Sequence, residues 1–383
     1  MASVLLLKNA EVYSPSFLGK KDILCLEGKV AKIGSVNSSH LDGLEIPYDV
    51  LDLEGMFLLP GLLDPHEHLI GGSGEAGYAS RSPEMTVPEI VRGGITTVVG
   101  CIGVDTFTRN IHSLLAQAKF FNEEGLTAYI WSGGYSVPPP TLTGSIKSDL
   151  ILVNEVIGAG EIAISDVRSS QPTLPEIARI VSQAYVGGML TGKAGVTHFH
   201  LGEGKYHLQP LFDLLANYDV NATSLYPTHI NRNPQLLKEG AAITHSGVTI
   251  DFDTCDGDLI PSLKSFIEHE GDLNFLTLSS DASFTSPSFL FEQIKEAMKV
   301  FKWSLEKILP LVTTNTARIL QLRTKGYIGP GADADLVAVD RTTLEIIHVV
   351  AKGKLFIKDG KSVYNQRILE SSNRKIEIYG KKK

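Results

Sequence analysis

Cysteine is scarce in this 383-residue chain: Cys25, Cys101 and Cys255 are the only three, and their spacing pairs none of them. So sparse and odd a set excludes a disulfide framework and a CxxC zinc site, and fits a reduced, cytoplasmic setting. Long apolar runs are lacking as well. None approaches the ~20 residues of a membrane span. The run at residues 4–7 is too short for the apolar part of a secretory signal and is followed by Lys8 and Glu11. There is no basic stripe either. The formal net charge is −8, so nucleic acid and membrane surfaces are not expected partners. Lys381, Lys382 and Lys383 read as a solvated tail. No internal repeat or low-complexity linker interrupts the chain.

What is present falls into two textures. Residues 1–55 and 325–383 are short strand-like runs punctuated by turns, among them 4–8, 22–26, 30–33, 336–339, 346–351 and 354–357. Between them, apolar runs at 57–63, 95–101, 126–131, 161–164, 196–201, 223–226, 248–252 and 275–278 alternate with helix-like stretches such as 110–122, 174–185, 208–217 and 262–268. Near-continuous apolar strands alternating with helices imply a parallel sheet covered by helices, and eight repeats favour closure. The predicted fold is α/β: a (β/α)8 TIM-like barrel over residues 56–324, ending in a helix over 304–322, with a small β-sandwich domain formed by both termini.

The sharpest local signal is Asp64-Pro65-His66-Glu67-His68, directly after the first barrel run. Residues two apart on an extended chain point the same way, so His66 and His68 can offer imidazoles to one ion. Alone, such a pair is often two hydrogen-bonded histidines. Further ligand-type residues, however, close other strands: His200, His229 and Asp281. These barrels build their sites at the C-terminal strand ends, and four histidines with one aspartate there could hold two cations. His198 lies deeper in its strand and reads as structural. His40, His112, His207, His245, His269 and His348 match no strand end of this kind. Gly72-Ser73-Gly74-Glu75-Ala76-Gly77 fits a dinucleotide-loop spacing, but the histidine pair separates it from its strand, and Glu75 would repel a pyrophosphate.

The stretch from Leu58-Leu59-Pro60-Gly61 to His66-Glu67-His68 resembles the opening signature of the amidohydrolase superfamily. Residues 326–336, Gly-Tyr-Ile-Gly-Pro-Gly-Ala-Asp-Ala-Asp-Leu, resemble its return into a small β-domain. Within that superfamily, residues 69–77, 164–169, 227–233 and 277–281 are similar to the isoaspartyl dipeptidases. The resemblance implies hydrolysis of the isopeptide bond of β-aspartyl dipeptides by a hydroxide bridging two Zn2+ ions. Its metal ligands would be His66, His68, His200, His229 and Asp281, with Asp281 also the general base. Tyr135 would bond the scissile carbonyl, Glu75 would meet the substrate ammonium, and Arg168 and Arg232 would meet carboxylates, for which a guanidinium fork is suited. The expected partners are a small dipeptide and further copies of this chain.

Three positions depart from the family pattern. Glu161 stands where the family has a lysine whose carbamate bridges both metals; Lys193, ahead of its strand, is a poor substitute. Glutamate also presents a carboxylate but is shorter, so either the bridge survives with shifted metals or the second metal binds weakly. Val104 replaces a hydroxyl residue, and Thr285, a further substrate contact, replaces serine. Two other functions stay open at this point: an amidohydrolase acting on a cyclic amide or N-acyl amino acid, and a non-catalytic barrel.

Overall fold

The computed structural model describes residues 4–43 and 45–365; the C-terminal lysines lie outside them. The N-terminal segment supplies β1 (Val4–Tyr13), β2 (Phe17–Leu26), β3 (Lys29–Gly34), β4 (Asp49–Asp52) and β5 (Met56–Pro60). The first half of β1 pairs with β4 and its far end with β5. Between them the register shifts and Asn9 takes a φ of 61°.

Eight parallel strands follow: β6 (Leu62–Glu67), β7 (Ile95–Gly100), β8 (Thr127–Ser132), β9 (Val156–Ile164), β10 (Val196–Leu201), β11 (Leu225–Thr228), β12 (Ile250–Asp253) and β13 (Leu276–Ser279). Every residue of β6, β7, β9 and β10 is buried. This explains why these strands read as continuous apolar runs: helices cover one face and the lumen takes the other. The helices are closed by local chemistry. Thr173 and Glu176 form a capping box for Leu174–Thr191, and Asn110 caps Ile111–Glu124.

The chain then returns as β14 (Leu336–Asp340), β15 (Ile346–Ala351), β16 (Lys354–Lys358) and β17 (Lys361–Ser362). β14 lies antiparallel to β5, so among the described residues both chain ends share one nine-stranded sheet. Leu7, Val12, Ile23, Val30, Leu336 and Val350 pack into a small core of their own beneath it. The buried Lys325 ties this sheet to the barrel. Its ammonium donates to Thr127 Oγ1 at 2.6 Å, near the start of β8, and pairs with Asp333 and Asp335.

Backbone ladders run unbroken from β6 to β11 and between β12 and β13. Side chains and isolated backbone bonds close the ring. At the β11–β12 join, the Asn231 side chain donates to Asp253 O (2.8 Å) and accepts from Asp253 N (3.0 Å), imitating a ladder pair. Below it, the Asp251 carboxylate accepts from Thr228 (2.8 Å), Thr277 (2.6 Å) and Ser279 (2.5 Å), binding three strands together. At the β13–β6 join, Asp281 N donates to His66 O and His68 N to Ala282 O, both at 3.0 Å.

Three expectations need correction. The run at 57–63 is two strands, not one, so residues 56–60 belong to the terminal sheet. Gly61 separates them: a Cβ there would lie 2.2 Å from Thr96 Oγ1, and its N–H donates to Asp335 O. β9 begins at Val156, which moves Glu161 from the start of a strand to its middle. The helix expected over 304–322 is broken into Leu305–Ile308, a 3-10 turn at Leu309–Val312 and Thr314–Ile319. Pro310, which lacks an N–H, and Thr313, at φ −135° and ψ −90°, interrupt it.

Burial lifts the Asp251 pKa to about 7, although its three hydroxyl partners oppose the shift. A raised carboxyl pKa means the folded state holds the proton more tightly than the unfolded chain. Asp251 therefore stabilises the fold most below the ordinary carboxyl value, and that share fades as pH rises through about 7. Asp251→Ala should cost at least ~1–3 kcal/mol, the penalty for leaving a buried donor unpaired. Asp251→Asn should cost less and flatten the pH dependence. Urea denaturation between pH 4 and 8 measures both; an alanine variant as stable as wild type would contradict the role.

Candidate active site

The C-terminal ends of the barrel strands bring together residues distant in sequence. β6 supplies His66 and, one residue past its end, His68; β9 supplies Glu161; β10 supplies His198 and His200. His229 follows β11 and Asp281 lies just beyond β13, both in the left-handed region at φ 61° and 44°. Non-glycine residues held there cluster at functional sites.

Glu161 is the hub. Its Oε1 lies 2.7 Å from His200 Nδ1 and 3.1 Å from His229 Nε2. Its Oε2 faces His66 Nε2 at 3.5 Å. His66 Nε2 is also 3.4 Å from Asp281 Oδ1, which His68 Nε2 approaches to 3.1 Å. His66 Nε2, Glu161 Oε2 and Asp281 Oδ1 are buried without any hydrogen-bond partner. Buried polar atoms are rarely left so, and three that converge could hold a cation. Overlapping groups of side chains could hold one, among them His66, His68, Cys101 and Glu161, then His66, His229 and Asp281, and then Glu161, His200 and His229.

The surrounding shell fixes which ring nitrogens face inward. His198 stacks on Trp131 with centroids 4.9 Å apart, and its Nδ1 lies 2.9 Å from Tyr226 O. A carbonyl only accepts, so His198 Nδ1 carries the proton and its Nε2 accepts from His66 Nδ1 at 3.2 Å. Burial beside His66 pushes the His198 pKa well down, which keeps this neutral tautomer. His66 is thereby left with Nε2 turned toward Glu161. Asp253 does the same for His229 by accepting from its Nδ1 at 2.8 Å. Gly103 (φ 81°) leaves room for the His68 ring, which a Cβ there would approach to 2.7 Å.

A cavity of about 350 Å³ opens above this cluster, lined in part by Glu75, Val104, Tyr135, Arg168, Arg232 and Ser283. Tyr135 Oη is 2.7 Å from His200 Nδ1; burial and Glu161 keep its phenol protonated well above the usual range. Arg168 forks onto Asp166 (3.0 and 2.6 Å) and reaches both Glu75 oxygens at 2.9 Å. Arg232 forks onto Asp256 at 2.9 and 3.1 Å. Among the substrate contacts expected from sequence, Thr285 is not in the cavity wall. The loop turns at Asp281 and presents Ser283 and Phe284 instead.

Lys193 is remote from this cluster, donating to Leu150 O and Val153 O at 2.8 and 2.6 Å. The glycine-rich stretch at 72–77 leads only into a 3-10 turn, Tyr78–Ser80, with Glu75 on Arg168. Sequence reasoning passed over Asp166, Asp253, Asp256 and Cys101. Asp253 shares its strand face with Asp251, and that parity is the signal that marks it. Nothing comparable marks the others.

A (β/α)8 barrel with histidines and an aspartate at its strand ends, a glutamate within one strand, and a small sheet from both termini, defines a class. The chain belongs to the amidohydrolase superfamily and is a hydrolase of that group. Residues 257–363 match the model of the Amidohydrolase family. A crystal structure of beta-aspartyl dipeptidase from Fervidobacterium islandicum AW-1 is 40 % identical in sequence with a TM-score of 0.89, covering 96 % of this chain and all of that one. The same enzyme in complex with the beta-Asp-Leu dipeptide matches at 40 % identity, a TM-score of 0.88, 95 % of this chain and 99 % of that one. Among curated sequences, adenine deaminase from Petrotoga mobilis is 24 % identical over 336 residues, 82 % of this chain; the match spans 52 % of that protein, about half its length.

Burial opposes a charge on His66, but Cys101, Glu161 and Asp281 outweigh it and hold the imidazole protonated well above its ordinary value in the metal-free site. Glu161→Gln keeps the shape and removes one of these charges, so the His66 pKa should fall. Histidine ring resonances followed by NMR against pH in metal-free protein test this; an unmoved His66 titration would contradict the hub role of Glu161.

Proposed function

We propose that this chain hydrolyses the isopeptide bond of β-aspartyl dipeptides with the help of divalent metal, zinc in the first instance. The observation that carries the reading is the charge pattern around the cavity. A β-aspartyl dipeptide brings one ammonium and two carboxylates; the wall offers the half-exposed Glu75 carboxylate and the Arg168 and Arg232 guanidiniums. Glu75 and Arg168 pair with each other across the cavity mouth. A substrate's ammonium and carboxylate would replace that pair by two new ones, so the charge balance is kept on binding. The likeness to the Fervidobacterium islandicum enzyme over nearly the whole chain supports the same reading.

Metal would be held by His66, His68 and Asp281 on one side and by His200 and His229 on the other, with Glu161 shared. The orphaned inward-facing atoms fit such a donor set, and imidazole with carboxylate suits zinc. When bound, the metals would polarise the scissile carbonyl and lower the pKa of the attacking water. The Asp281 carboxylate would take a proton from the attacking water and deliver it to the leaving amine. In the metal-free site burial would raise its pKa, but the charges on His66 and His68 hold it at about 2, so the carboxylate stands ionised there. Tyr135, kept as a phenol, donates to the oxygen of the carbonyl as charge builds there. Arg168, Arg232 and Glu75 orient the substrate and take no part in proton transfer.

β-Asp-Leu should be turned over, whereas α-Asp-Leu, hydantoins and N-acetyl amino acids should not; preference for a cyclic amide or an N-acyl substrate would overturn the proposal. Arg232→Lys keeps the charge and loses the fork, and should cost about 1.5–3 kcal/mol in kcat/KM, the range for a hydrogen bond to a charged group. The loss should shrink for a substrate whose carboxyl is amidated. An equal loss on both substrates would assign Arg232 to structure.

A further inference from the structure

Cys101 follows β7 directly, and its side chain points into the barrel lumen with Val99 and Trp131, fully buried. A thiol in such a place ordinarily behaves as a small apolar group. This one has other company. Its Sγ lies 3.7 and 3.8 Å from the two nitrogens of His68 and 3.7 Å from Glu67 O. Cys101 Sγ and one ligand atom each of His66, His68 and Glu161 all lie within 4.8 Å of one another. Two of those partners carry the orphaned atoms, His66 Nε2 and Glu161 Oε2, so the thiol borders the space toward which unpartnered donors converge. Cys25 lies in the terminal sheet, and Cys255, partly exposed at the cavity, groups with Asp253 and Asp281 instead of with His66 and His68.

We propose that Cys101 is an additional ligand of the metal held by His66 and His68, and that it biases this position toward thiophilic ions. The inference rests on the metal-dependent reading above. On binding, the S–H bond breaks, its proton leaves to solvent and the sulfur lone pair goes to the metal. Thiolate is a soft donor, so zinc, cobalt and cadmium gain from it, whereas manganese and magnesium, suited by carboxylates and water, do not. Glu161 thus supplies the carboxylate shared by both positions, and Cys101 makes the two unequal in hardness. The His66–His68 position should fill first and lose its metal last.

The test uses metal-free full-length protein titrated with cobalt(II), with bound cobalt counted independently. Wild type should show near-ultraviolet thiolate-to-cobalt charge-transfer absorption from the first equivalent. Cys101→Ser should lose the band, and Cys255→Ser should keep it. Zinc affinity should fall roughly ten- to a hundredfold in Cys101→Ser, the loss typical of disturbing a metal site's supporting groups, with manganese changed much less. Bound cobalt without the band in wild type would overturn the proposal, even if Cys101→Ser failed to fold. So would a band that survives in Cys101→Ser or disappears in Cys255→Ser. A chain that binds no cobalt at all would instead overturn the metal-dependent reading beneath it, and a chain that binds cobalt but ignores β-Asp-Leu would overturn only the substrate.

Discussion

One buried carboxylate organises the centre of this molecule. Glu161 is shut away from solvent, and its two oxygens face different histidines: His200 and His229 on one side, His66 on the other. An isolated carboxylate in such a place would take up a proton. Burial does push it that way, but His66, His200 and His229 outweigh burial and hold its pKa far below the usual range. The same charge helps keep His66 protonated. Four strands, β6, β9, β10 and the end of β11, therefore meet at one side chain, and none could be shifted without stranding a charge.

Barrel closure depends on the same rim. Where the backbone ladder is incomplete, the joins use His66, His68, Asp281, Asn231 and Asp253, residues that are either in the cluster or in contact with it. Closing the ring and assembling the site are thus largely one event. This coupling explains why the supporting residues, His198 against Tyr226 O and Asp253 against His229, are as buried as the residues they orient.

Much of this was legible in the sequence because it obeys simple periodicities. Apolar runs bounded by turn residues gave all eight barrel strands, and the two-residue spacing of His66 and His68 gave their common direction. Errors arose where a tertiary contact overrode local texture. Gly61 splits one apolar run because Thr96 leaves no room for a side chain and Asp335 O draws its N–H away. Cys101 was invisible as a site residue since a lone cysteine at a strand end looks like core; only the approach of His68 gives it another meaning.

On the proposed metal-dependent reading, Glu161 supplies permanently the carboxylate that a lysine would have to acquire from CO2. Zinc stoichiometry of the metal-free protein, reconstituted in CO2-free buffer with and without added bicarbonate, tests it most directly. The account predicts two zinc ions per chain in both buffers for wild type, and loss of the second ion before the first in Glu161→Gln. Zinc uptake that required bicarbonate, or full two-zinc occupancy in Glu161→Gln, would contradict it.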